Sequence, residues 1–173
     1  MAVPAPERDL ARIFLESLAD LAGPDQAHLL QGIDQAAAFL RQAIQEGGGP
    51  ILWEDAPPRE PCRAPLGVCR AWKAAASTGS ILLRPPSREA SWASLLADRV
   101  VALASLEDLV PDLEALFTSL DPPHPAALVV TGSSRTADIE KQLVIPAHGP
   151  SRLDVLFLPG PPDLPGLRAL LQG

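Results

Sequence analysis

Lysine is nearly missing from this chain. Of its 173 residues only Lys73 and Lys141 are lysines, and 14 basic side chains face 21 acidic ones, for a formal charge of −7. No basic run occurs anywhere. Affinity for nucleic acid comes mainly from clustered Lys and Arg displacing counterions, so a phosphate-backbone partner is not expected. Cysteine is scarce as well. Cys62 and Cys69 stand in none of the close CxxC spacings that hold zinc, and two thiols cannot supply a four-thiolate iron–sulfur cluster. They are expected to be reduced and partly buried. No apolar run approaches the length of about 20 residues that crosses a bilayer. The opening MAVPAPERDLAR places acids and prolines where a signal peptide has its apolar core, so the expectation is a cytoplasmic chain with no membrane span. The familiar catalytic and nucleotide-binding signatures are also missing: no GxGxxG after a strand, no GxxxxGK[ST], no HExxH and no GxSxG. Large aromatics are limited to four Phe and Trp53, Trp72 and Trp92, which suit core or rim packing.

What the chain does have is an apolar core's worth of Ala, Val, Ile and Leu, with 47% hydrophobic residues, cut by 20 prolines and 12 glycines. A single domain with many breaks between elements follows from that length and composition. Leu10, Ile13, Phe14, Leu18 and Leu21 recur at helical spacing, and Gly23-Pro24 stop the run. Asp25 can cap a second helix carrying Leu29, Leu30, Ile33, Ala37, Leu40 and Ile44 as far as Gly47. Residues 1–49 therefore read as a helical pair, ahead of an α/β core over 50–173.

From Pro50 onward the runs ILW, SILL, RVVAL, AALVV and LDVLFL read as strands. The last three are apolar almost throughout, as strands covered on both faces are. Leu106, Leu109, Val110, Leu113, Leu116, Phe117 and Leu120 predict a helix over 105–120, with a capping box at Ser105 and Asp108 and a conflict at Pro111. The alternation predicts βαβ units and a mostly parallel sheet flanked by helices. Pro-rich stretches at 56–61, 84–87 and 159–165 read as surface loops.

The candidate site is TGSSRTADIEKQLVIPAHGP, Thr131 to Pro150, directly behind AALVV. Open α/β sheets bind ligands at the carboxyl ends of their strands. A helix beginning at ADIEKQLV would leave free N–H groups for an anion. Gly132 permits a tight turn, Ser133, Ser134 and Thr136 offer hydroxyls, and Arg135 brings a fork of donors matched to a carboxylate or phosphate. The alternative is structural: Ser134 or Thr136 caps the helix, and Arg135 pairs with Asp138 or Glu140 on the surface. Asp138 and Glu140 lie two apart and face different sides of a helix, so they cannot aim at one atom. His148, in PAHGP, is either a loop hydrogen-bonder or a general acid/base, the latter only if folding brings it to the GSSRT loop. Thr78, Gly79 and Ser80 form a second hydroxyl-rich turn able to line the same cleft from a neighbouring strand.

The residues SRTADIE followed by HGP, with Thr78-Gly79 upstream, resemble the lactate utilization protein C family, the LUD domain, over about the last hundred residues. The resemblance implies a fold similar to the NagB/RpiA/CoA-transferase-like α/β proteins. It also implies a subunit working with iron–sulfur partner proteins in oxidation of L-lactate to pyruvate, the clusters residing on those partners and no cofactor held by this chain. By position it carries over Thr78 and Gly79, then Thr131, Gly132, Ser134 to Glu140, and His148 to Pro150. Ser133 stands where that pattern has proline, and Ser77 where it has an acid. The strand the family has between its first two helices is not apparent here. Asp138, Glu140 and His148 are the candidate catalytic residues. Thr78, Gly79, Ser80, Gly132, Ser133, Ser134, Arg135, Thr136 and Gly149 are the candidate ligand-binding residues, for a small anion. No metal site is expected. The competing readings are a stand-alone isomerase or transferase acting on a sugar phosphate or CoA thioester, and a non-catalytic regulatory domain.

Overall fold

A computed structural model describes residues 5–21, 25–120, 127–133, 136–137, 143–144 and 149–172. The elements run α1 (Ala5–Ala19), β1 (Gln26–Leu29), α2 (Ile33–Gly47), β2 (Ile51–Trp53), β3 (Ala64–Ala75), β4 (Ser80–Leu83), α3 (Trp92–Leu95) and β5 (Ala97–Ser105). They continue with β6 (Leu109–Val110), α4 (Leu113–Thr118), β7 (Leu128–Thr131), β8 (Thr136–Ala137), β9 (Leu143–Val144), β10 (Arg152–Leu158) and α5 (Leu164–Gln172).

Strand β3 organises the sheet, whose order is β1-β10-β5-β3-β4-β7. Over its first half β3 pairs in parallel with β5, from Ala64 beside Ala97 to Arg70 beside Leu103, and with β2 on its other side. Beyond a register irregularity at Ala71 and Lys73 its second half pairs antiparallel with β4, and β4 in turn antiparallel with β7. Such an irregularity bends a strand. The bend carries β4 and β7 over the α1 face, because Ile81, Leu83, Leu128 and Val130 share one core with Phe14 and Leu18 of α1 and with Val100, Val155 and Phe157. Phe14 and Phe157 meet edge to face, ring centroids 5.0 Å apart, a geometry worth about 0.5–1.5 kcal/mol beyond its buried area. The opposite face of β5 and β10 is covered by α2 and α5, through Ala36, Leu40, Ala43, Leu164 and Leu167 against Val101, Leu103 and Leu156. Helix α4 covers the outer side of β4 through Leu116 and Leu82.

The mostly parallel, helix-flanked sheet agrees with the sequence expectation, and the differences are instructive. The N-terminal helices are no pair. Residues Gln26–Leu29 form β1, parallel to β10 at the sheet edge, so α1 and α2 lie on opposite faces. The strand missing from the sequence reading is therefore present, hidden because Leu29 and Leu30 fit the helical spacing of the residues after them. The predicted helix over 105–120 is cut by Pro111. Leu106–Asp108 is a 3₁₀ turn with Ser105 accepting from Glu107 N, Leu109–Val110 pairs with β3, and α4 starts only after Asp112, whose carboxylate accepts from Ala115 N. Strand AALVV enters no βαβ unit, since β7 pairs antiparallel with β4 while β5 and β10 are direct parallel neighbours. Both cysteines are free, Cys62 exposed and Cys69 buried. No described helix is long and apolar enough to cross a membrane.

Candidate functional site

The two hydroxyl-rich turns meet. Strand pairing sets Ser80 opposite Thr131, and a chain of hydroxyls links them: Thr78 Oγ1 lies 2.7 Å from Ser80 Oγ, which lies 2.7 Å from Thr131 Oγ1. Ser80 is fully buried, and its hydroxyl is satisfied by the two threonine hydroxyls on either side of it. Gly79 sits at φ 63°, where a Cβ would come within 2.9 Å of the Leu18 backbone; this turn is wedged against the end of α1.

At the other end of the relay the chain turns sharply at Gly132, φ 69°. A Cβ there would stand 2.9 Å from both Asp25 Oδ2 and Leu21 Cδ1. The residue that fixes this turn is Asp25, only 5% exposed. Its Oδ2 accepts from Ser133 N and its Oδ1 from Leu153 N, each at 2.8 Å. One carboxylate thus ties the turn after β7 to the first residues of β10. Hydrogen bonds of this charge-assisted kind contribute about 1.5–3 kcal/mol each. Nothing in the sequence marked Asp25 for this role; its position after Gly23-Pro24 made it a helix cap, and only the β1 strand that follows it brings it to β10.

Beside the turn lies a cavity of about 460 Å³, lined among the described residues by Leu21, Ser94, Leu95, Leu128, Val129, Val130 and Pro150 together with Thr131, Gly132, Ser133 and Gly149. Its surroundings are the amino ends of the strands. Leu95 precedes β5, Pro150 precedes β10, and Asp25 precedes β1. The expectation of a site at the carboxyl ends of a parallel sheet is therefore corrected: the turn follows the carboxyl end of β7 alone, and the bend in β3 delivers it to the opposite rim of the parallel strands. The proposed helix N-terminus is corrected too. Thr136–Ala137 form β8, antiparallel to β9 at Leu143–Val144, where ADIEKQLV was expected to be helical. The Ser133 amide, ahead of that segment, donates to Asp25.

Among the candidate residues, Thr78, Gly79 and Ser80 join Thr131 through the hydroxyl chain, while Gly132, Ser133 and Gly149 share the cavity. Thr136 is placed by its backbone in β8. Ser134, Arg135, Asp138, Glu140 and His148 lie outside the described residues. Among the described residues no group of His, Cys, Asp and Glu has the arrangement to hold a metal ion.

A second buried carboxylate sits one residue further along β10, on the α2 face. Asp154 is fully buried. Arg99 Nε donates to its Oδ2 at 2.6 Å, and Arg152 donates to Oδ1 at 2.9 Å from Nη2. Arg99 also reaches Glu46 at 2.9 Å and Arg152 reaches Gln26 at 3.2 Å. Burial holds the nearby His28 imidazole below its ordinary 6.5; Asp154 acts against that, and Arg152 and Arg99 reinforce it.

The sequence profile of the LUD domain family matches residues 59–158, more than half of the chain. The fold is similar to the crystal structure of a DUF162 family protein from Deinococcus radiodurans, with a TM-score of 0.60 and 16% identity, covering 90% of this chain and 99% of that one. At that identity the likeness concerns the fold. No curated protein matches the chain.

Proposed function

Because this chain belongs to the LUD domain family, a family associated with lactate utilization, we propose that it is a lactate utilization protein C-like subunit that binds a small 2-hydroxy or 2-oxo carboxylate at the Thr131–Ser133 turn. The reading rests on the meeting of the two turns: Thr78, Ser80 and Thr131 in one hydroxyl chain, and Gly132–Ser133 held at a cavity wall by Asp25. Arg135, two residues past the described turn, would supply the guanidinium that pairs with the carboxylate, and His148 or one of Asp138 and Glu140 would move the hydroxyl proton. Oxidation of L-lactate to pyruvate releases two electrons and two protons. The two cysteines of this chain, one buried and one exposed, suit no cluster, so the electrons would pass to iron–sulfur clusters on partner chains.

The test is reconstitution with cysteine-rich iron–sulfur proteins from the same genome, following L-lactate-dependent dye reduction. The complete set is expected to turn over, and omission of this chain or the Arg135→Ala substitution to abolish turnover. Equal rates with and without the chain would overturn the reading. Binding by the isolated chain is measurable as a thermal shift, since a ligand at a hundred times its Kd stabilises by about 2.7 kcal/mol.

A further inference from the structure

Lactate would leave most of the cavity beside the Thr131–Ser133 turn unfilled. Its volume of about 460 Å³ falls in the range of roughly 300–1,000 Å³ occupied by ligands several times larger than a three-carbon acid. The walls are chemically divided. Polar groups gather at the turn, whereas Leu21, Leu95, Leu128, Val130 and Pro150 make up most of the remaining described lining, where the one polar side chain, Ser94, spends its hydroxyl on Ser91 O. These apolar side chains are only partly covered by the protein itself: Leu21, Leu128 and Val130 are half-buried and Leu95 is 41% exposed. Large apolar side chains left in contact with water around a concavity are the ordinary mark of a site that closes on an apolar partner. The polar end is built to be rigid, because Asp25 fixes Gly132 and Ser133 from behind.

We propose that the ligand of this cavity is amphiphilic, a carboxylate head at the Thr131–Ser133 turn carrying an unbranched apolar body of several carbons that lies against Leu95, Leu128 and Val130. The identification of the head as a carboxylate rests on the function proposed above; the apolar body rests on the cavity. In that arrangement lactate is the shortest member of the acceptable series.

The test is calorimetric titration of the full chain with linear 2-hydroxy acids of three to eight carbons and with the primary alcohols of matching length. Affinity for the acids is expected to rise roughly three- to fourfold with each added CH₂ until the cavity is full, and the alcohols are expected to bind more weakly at every length. Leu95→Asp, at an exposed position where folding is not at stake, is expected to flatten the series. Equal affinity across the acids would overturn the amphiphilic ligand and leave the carboxylate site standing. Alcohols binding as tightly as acids would overturn the carboxylate head and leave the apolar body standing. An undiminished slope in Leu95→Asp, or no binding by any compound, would overturn the assignment of this cavity.

Discussion

Asp25 and Asp154 are both buried, both hold the start of β10, and lie on opposite faces of it, yet they are satisfied in different ways. Asp154 is neutralised by two guanidinium groups from its own sheet, a self-contained cluster joining β5 to β10. Asp25 accepts from backbone amides of two separate segments, one at the start of β10 and one in the turn that walls the cavity. Burying a carboxylate is costly unless it is paired or hydrogen-bonded. The first solution places compensating charge and serves the sheet. In the second, the carboxylate accepts from the Ser133 and Leu153 amides and so holds the loop. Asp154 should therefore matter for stability alone, and Asp25 for stability and binding together.

Asp154→Ala is the harsher change. It leaves Arg99 and Arg152, with side chains 15% and 30% exposed, without their shared counter-charge, and breaking a buried pair in this manner costs about 3–5 kcal/mol. Urea unfolding should show that loss, and a drop no larger than that of a surface substitution would show the cluster to be dispensable. Asp25→Ala leaves the Ser133 and Leu153 amides without this acceptor, for a loss of about 2–4 kcal/mol, and should also release the turn; faster proteolysis or hydrogen exchange at 131–133 than in Asp154→Ala would register it. Acid should weaken the Asp154 side through His28. The unfolded chain takes up a proton as pH falls below about 6.5, the folded chain resists doing so, and stability therefore declines from that pH down to the lower folded value. Replacing His28 by Gln should flatten the unfolding midpoint between pH 7 and 5, and a wild-type midpoint already flat there would remove His28 from the account.

Glu54 has the opposite sign. Burial raises its carboxyl above the ordinary 4.5, against the Arg70 amide that hydrogen-bonds it. Its contribution is complete below that ordinary value and is lost as pH rises through the folded one. Glu54→Gln should consequently raise the midpoint modestly at neutral pH, with no gain near pH 4. The smallest effect belongs to Glu46, whose carboxylate is half exposed where it pairs with Arg99. Glu46→Gln should leave the midpoint in place, because exposed ion pairs contribute little.

The same contrast separates what could be read from the sequence and what could not. Strands 51–53, 80–83, 128–131 and 152–158 announce themselves because β-branched and leucine runs between turn residues permit little else, and RVVAL marks the middle of β5. Strand β3 does not. APLGVCRAWKAA mixes Pro, Gly, Arg and Lys with alanines, and its extended form is imposed by β5, β2, β4 and β6 along its length. A strand defined by its neighbours leaves a weak local pattern. Helix α5 was hidden for a related reason, since the Pro-rich stretch 159–165, read as a surface loop, runs into its first turn at Leu164 and Pro165. At the site, the composition of the turns around Gly79 and Gly132 exposed them as special. Their meeting through Ser80 and Thr131 depends on the bend in β3, and the role of Asp25 on a pairing 128 residues distant in sequence. Residue types disclosed the turns, and only topology could disclose the carboxylate that holds one of them.

The most direct measurement is the affinity of the tightest-binding 2-hydroxy acid for the wild-type chain, Asp25→Ala and Asp154→Ala, taken at a low temperature where circular dichroism shows all three folded. Loss of binding in Asp25→Ala, with Asp154→Ala within about threefold of wild type, is the predicted result. Undiminished binding by Asp25→Ala would contradict the claim that this carboxylate holds the ligand-binding turn.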